Sequence, residues 1–99
     1  MALVEVSIVP VGTNAASISS FVAEAARVAD EMGLKYQVTP TATVLEGDLQ
    51  QALNCAQKMH DAAMRAGAAR VVTNVTIDDR HDKPLTMESS VDAVTNQIH

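Results

Sequence analysis

The sequence predicts an α+β fold, a βαββαβ sandwich with two helices over one face of a four-stranded sheet and an extra C-terminal helix. Three observations predict it. Segments with apolar residues at every second position alternate with segments where they fall three and four apart, in the order strand, helix, strand, strand, helix, strand, helix. The middle two strands are joined closely enough for a tight antiparallel connection, whereas every other strand connection carries a helix. At 99 residues the chain has room for one core, so residues 1–99 are read as a single domain.

The elements follow in order. From Leu3 to Val9, Val4, Val6 and Ile8 share one face and Glu5 and Ser7 the other, the pattern of a half-buried strand. After a loop at Pro10 to Asn14, the positions Ile18, Phe21, Val22, Ala25, Ala29 and Met32 make an amphipathic helix, with Ser17 as N-cap and Gly33 at the left-handed position that ends it. Strands at Lys35 to Thr39 and Ala42 to Glu46 form a hairpin through Pro40 and Thr41. Asp48 caps a second helix, with Gln51 three residues on, a stripe of Leu49, Ala52, Leu53, Ala56, Met59 and Ala63, and Gly67 at its close. Arg70 to Asp78 alternates as the fourth strand, with Val71, Thr73, Val75 and Ile77 on one side. Beyond the charged turn from Asp79 to Pro84, the spacing of Met87, Val91, Val94 and Ile98 marks a third helix starting near Thr86. Right-handed crossovers give this order the split βαβ, ferredoxin-like topology.

Composition narrows the partners. Apolar residues are 47% of the chain, but Ala and Val supply 29 of them, and there is no Trp, one Phe and one Tyr. A chain of this size buries roughly 60 to 65% of its unfolded surface, so a core of small pieces predicts self-association. The sheet face away from the helices carries Glu5, Ser7, Val9, Lys35, Gln37, Val72, Asn74 and Thr76, a mixed surface suited to packing on a second copy. A net charge of −5 argues against nucleic acid and anionic membranes. No stretch approaches the roughly 20 apolar residues of a membrane span, and the first residues carry no basic or long apolar segment, so a cytoplasmic location is expected. Cys55, the only cysteine, reads as a small buried hydrophobe on a helix.

This topology hosts many functions, so side chains must decide. Stacking of RNA bases on the sheet needs aromatic residues, and the two rings are Phe21, on a helix, and Tyr36. An acylphosphatase-type site needs an arginine after the first strand, and Val11-Gly12-Thr13-Asn14 has none. That loop precedes a helix, so it either binds an anion through backbone N–H groups, with Thr13 at the ligand, or is a plain connection. Asp78, Asp79 and Asp82 are interleaved with Arg80 and Lys83 and read as a solvated turn, and no metal site is expected. His60, His81 and His99 lack the spacing of metal ligands or a triad and read as surface histidines. Glu46 ends a strand at the rim, within reach of Thr43, and either reads a ligand or is an exposed strand-end acid or one that helps cap the second helix. Ser19 and Ser20 are either ligand hydroxyls or ordinary first-turn residues. No residues combine as nucleophile, base and orienter, so neither catalysis nor a cofactor is expected.

Four strings carry a resemblance: Val6-Ser7-Ile8-Val9-Pro10-Val11-Gly12-Thr13, Gly33-Leu34-Lys35-Tyr36-Gln37-Val38-Thr39-Pro40, Thr43-Val44-Leu45-Glu46-Gly47-Asp48 and Ile77-Asp78-Asp79-Arg80. In this order, with Thr86-Met87-Glu88 before the last helix, they resemble the YkoF-like thiamine-binding protein family from about Ala2 to Ile98. The resemblance implies a ferredoxin-like fold assembled as a dimer or tetramer that binds thiamine or its hydroxymethylpyrimidine moiety without catalysis. Thr41-Ala42 departs from the family's usual Met-Gly, which alters the pocket's shape, and Phe21 stands where Tyr is common, which removes a hydroxyl. An aminopyrimidine pairs a ring nitrogen with an exocyclic amine, which a carboxylate can engage side by side, so Glu46 is the first candidate to hold it. Thr43 and Ser19 would add neutral hydrogen bonds. The alternative of another class is a small oligomeric regulatory or interaction module, ACT-like in fold.

Overall fold

A computed structural model describes residues 1–12, 18–82 and 85–98. Its elements are β1 (Ala2–Val11), α1 (Ile18–Glu31), β2 (Lys35–Val38), β3 (Thr43–Gly47), α2 (Leu49–Arg65), β4 (Arg70–Asp79) and α3 (Met87–Ile98). The four strands form one sheet in the order β2-β3-β1-β4, every neighbouring pair antiparallel. This is the ferredoxin-like arrangement expected from the element order.

The partner strand explains why β1 runs further than its own alternation suggests. It pairs with β4 over ten residues, from Ala2 opposite Asp79 to Val11 opposite Arg70, but with β3 only from Ala2 opposite Gly47 to Val6 opposite Thr43. One face of this sheet, through Ala2, Val4, Val6 and Leu45, packs on Ala25, Val28 and Ala29 of α1 and Ala52, Cys55, Ala56, Met59 and Ala62 of α2. Cys55 is fully buried, as its apolar reading expects, and burial pushes its thiol above the usual range. Leu45 and Met59 are the largest wholly buried side chains, so truncating either to Ala should cost about 2–5 kcal/mol.

The helix ends follow their sequence signals. Gly33, at φ +72°, ends α1, with Leu34 N–H donating to the Ala29 carbonyl at 3.2 Å and Gly33 N–H to Asp30 at 3.0 Å. Asp48 accepts from Gln51 N–H at 3.2 Å and starts α2. Ser17, read as the cap of α1, lies outside the described residues, as do Lys83, Pro84 and His99.

Three details depart from the sequence reading. Val75 and Ile77 face the helix side of the sheet yet are 41% and 47% exposed, because β4 is an edge strand that α2 covers only in part. Leu53, expected in the core, is half-buried for the same reason. His60 is half-buried rather than on the surface, its Nδ1 2.6 Å from the Thr73 hydroxyl oxygen on β4. At the start of α3, Leu85 just before it and Met87 are buried, while further along Val91 and Val94 are exposed.

Candidate functional site

The site follows from a mismatch in strand length. Past Val6 and Thr43, β1 continues to Val11 with β4 on one side and, among the described residues, no strand on the other. Antiparallel strands point successive residues' N–H and C=O groups alternately to the two sides, so every second residue of this stretch aims them at the uncovered side. The chain leaves the strand direction at the β2–β3 turn because Thr39 closes it. Thr39 N–H and hydroxyl donate to the Ala42 carbonyl at 2.8 and 2.9 Å, and Ala42 N–H donates back to the Thr39 hydroxyl oxygen at 3.1 Å.

Turn, strand edge and helix enclose a slot of about 160 Å³, lined by Val6 to Pro10, by Val22 and Ala25 of α1 and by Thr39 to Thr43. A water needs roughly 10–15 Å³ of such space, so the slot accepts a ring-sized fragment. Its walls are mostly aliphatic, and none of these side chains carries a charge. Thr43 is 3% exposed, and among the described residues its hydroxyl makes no hydrogen bond. Buried hydroxyls almost always find a partner, so an unsatisfied one in a slot wall is a group waiting for a ligand or water.

Glu46 lies elsewhere. Strand alternation puts it on the opposite face of β3 from Thr43, so the expected reach between the two is not realised. It is 7% exposed, with Oε1 accepting from Met87 N–H at 2.9 Å and Oε2 3.4 Å from Lys35 Nζ; Lys35 also bonds Glu88. The Glu88 bond, then Glu46, holds the Lys35 ammonium above its ordinary range, and Lys35 in turn holds the Glu88 carboxyl below its own. Glu46 is thus a tie between the sheet and the start of α3.

Of the four candidates, Thr43 alone is placed at the slot. Thr13 lies outside the described residues, and Ser19 is in the first turn of α1 with its side chain outside them. Sequence reading missed Ser7 to Pro10, Thr39 and Val22 as lining. The signal was present in the nine-residue alternation of the fourth strand, Arg70 to Asp78, against five residues in the third, Ala42 to Glu46. Among the described residues, no group of three or more His, Cys, Asp or Glu could hold a metal ion, and no helix is long and apolar enough to cross a membrane.

The family model described as thiamine-binding protein matches residues 4–95. The chain belongs to this family. Similar proteins include the UPF0045 protein YqgV of Bacillus subtilis, 38% identical over 102 residues that cover 99% of this chain and 98% of the relative. The crystal structure of MJ1052 from Methanocaldococcus jannaschii, 36% identical, superposes with a TM-score of 0.86 over 95% of each chain. A Thermotoga maritima structure named for thiamine biosynthesis or salvage shares the fold, with a TM-score of 0.78 at 22% identity over 94% of this chain and 97% of that one.

Proposed function

We propose that this protein binds thiamine or its hydroxymethylpyrimidine part in the slot beside β1 and carries out no reaction on it. The observation that carries the reading is the buried Thr43 hydroxyl, without a partner among the described residues, in an aliphatic slot whose floor is a strand edge that no described strand pairs. A backbone N–H and C=O aimed the same way form a donor and acceptor pair, the complement of an aminopyrimidine's ring nitrogen and amine. Aliphatic walls suit the ring faces. Membership of the thiamine-binding family supports the ligand class. The absence of acids, bases and thiols from the lining supports binding without catalysis. In this reading Thr43 touches the ligand, while Thr13 and Ser19, next to the slot in sequence order, are secondary contacts. Glu46 acts on α3 rather than on the pyrimidine.

Isothermal calorimetry with thiamine, hydroxymethylpyrimidine and thiamine pyrophosphate tests it. Heat with the first two supports the reading; no heat with any of the three overturns it in favour of an oligomeric interaction module. Self-association as a dimer or tetramer in the cytoplasm completes the proposal, with the open sheet face around Val9 and Val72 as one packing surface. Light scattering reads the mass, and Val72→Glu should split a pair joined by that face because like charges would meet across the two-fold.

A further inference from the structure

We infer that the main chain of one residue, Ile8, sets the specificity of the slot: its N–H donates to the ring nitrogen beside the ligand's amine, and its C=O accepts from that amine. This rests on the slot being where the ligand binds. The hydrogen bonds of the sheet fix which way Ile8 points. Thr39 N–H donates to the Ala42 carbonyl at 2.8 Å, a bonded position of the β2–β3 ladder, so alternation makes Gln37 with Val44 and Lys35 with Glu46 the next bonded pairs. The residues between them, Thr43, Leu45 and Gly47, therefore turn their N–H and C=O groups to β1, where they meet Val6, Val4 and Ala2. The same parity runs unbroken through the register of β1 with β4. Ser7 and Val9 bond to β4, while Ile8 and Pro10 aim at the side that no described strand covers. No turn or loop bond among the described residues takes either group of Ile8. Pro10 supports this parity independently, because a proline has no N–H to give a ladder and stands in a sheet where that group would face outward.

The missing rung defines the ligand class. Extending the β1–β3 register would set Thr41 opposite Ile8, but Thr41 lies in the turn that leads back to β2, and the slot opens in its place. An occupant beside Ile8 meets one donor and one acceptor, with the Thr43 hydroxyl in the same lining. Pro10 excludes a peptide strand as that occupant, since strand addition needs a donor at each outward residue and Pro10 supplies a carbonyl only. A flat heteroaromatic ring with an amine beside an unprotonated nitrogen needs a single such pair, and Ile8 supplies it. The lining holds no charged side chain, so the enclosed ring is neutral and any ionic substituent stays in solvent.

The test uses the full chain with hydroxymethylpyrimidine and with its analogue carrying CH in place of the ring nitrogen beside the amine. In the ligand-free protein the Ile8 amide should exchange with solvent about 10-fold or more faster than those of Ser7 and Val9, which lie in the β4 ladder. Hydroxymethylpyrimidine should slow Ile8 exchange and change Ser7 and Val9 far less. By calorimetry the CH analogue should bind about 10-fold or more weaker, since it leaves the Ile8 N–H without an acceptor. Ile8→Pro, which removes that N–H, should bind the two compounds alike, whereas Ile8→Ala, which trims the side chain and keeps the N–H, should still tell them apart. The exchange pattern and the analogue are read on the native chain, so they decide the matter even where Ile8→Pro does not fold. No binding of hydroxymethylpyrimidine removes the slot as the binding place and this inference with it. Three results overturn the inference alone: a free-protein Ile8 amide as protected as that of Val9, bound ligand that leaves Ile8 exchange unchanged, or equal affinity for the CH analogue.

Discussion

The two ends of β3 treat their polar side chains in opposite ways. At the Thr43 end the ladder with β1 stops, a turn folds back on itself through Thr39, and the Thr43 hydroxyl is left buried with no bond to another described residue. At the Glu46 end a carboxylate is equally enclosed, but its oxygens meet Met87 N–H and Lys35. The charged residue already has partners in the fold, and the neutral one has none for its hydroxyl among the described residues. Chemical strength alone does not mark a binding group; what the rest of the chain has already satisfied decides it.

If that contrast is right, substitutions at the two ends separate binding from stability. The largest expected effect is at the slot. Val22→Phe, on the half-buried helix wall, should fill the space and weaken thiamine binding by about 100-fold, read by calorimetry, with a melting temperature changed by no more than a few degrees. An unchanged affinity would move the ligand out of the slot.

Next is the other end. Glu46→Ala leaves Met87 N–H without its acceptor and Lys35 with Glu88 alone, and should cost about 2 kcal/mol of stability, with Lys35 half exposed and screened. Thermal denaturation should show a drop of roughly 8–16 °C, while affinity stays within about 2-fold. A large affinity loss in Glu46→Gln, which keeps the shape, would return Glu46 to the ligand and dissolve the contrast.

The ends of β3 also show what was legible in the sequence. Element order came through because apolar periodicity is local: Val4, Val6 and Ile8 announce a strand and Phe21, Ala25 and Ala29 a helix without reference to the rest of the chain. Asp48, Gly33 and Gly67 worked as boundaries for the same reason. The partner of Glu46 was hidden because Met87 N–H is 41 residues away, a distance no local pattern spans. The exposure of Val75 and Ile77 was hidden too, since a strand's alternation tells which face a residue takes but not whether a helix covers it. Thr43 entered the candidates through its nearness to Glu46 in sequence, although the two share a strand and not a face.

A smaller effect isolates the hydroxyl. Thr43→Val keeps the volume and removes the oxygen, so ligand affinity should fall about 5-fold, near 1 kcal/mol. Replacing a buried hydroxyl that has no partner among the described residues with a methyl is neutral or mildly stabilising, so the melting temperature should hold or rise. Loss of stability together with affinity would mean that Thr43 holds the fold.

The smallest effect is the pH response of the tie to α3. Glu88 titrates below its ordinary range because Lys35 bonds it, with the backbone N–H at the start of α3 adding to this, so its contribution is present above the free-glutamate pKa and is lost as pH falls through the lowered value. Lys35 is shifted the other way by Glu88 and then Glu46: its contribution is full below the free-lysine pKa and is lost as pH rises through the raised value. The first turn of α3 should therefore be best protected between about pH 5 and pH 9 and loosen on both sides. Hydrogen-exchange protection factors for Met87 to Ser90 would show it, and Glu88→Gln should flatten both limbs while Met87 N–H keeps its bond to Glu46. These groups are solvent-facing, so the change is a modest one confined to α3, and amides beside the slot, such as that of Ala42, should keep their protection over the same range. A parallel loss there would mean that the two ends of β3 are coupled.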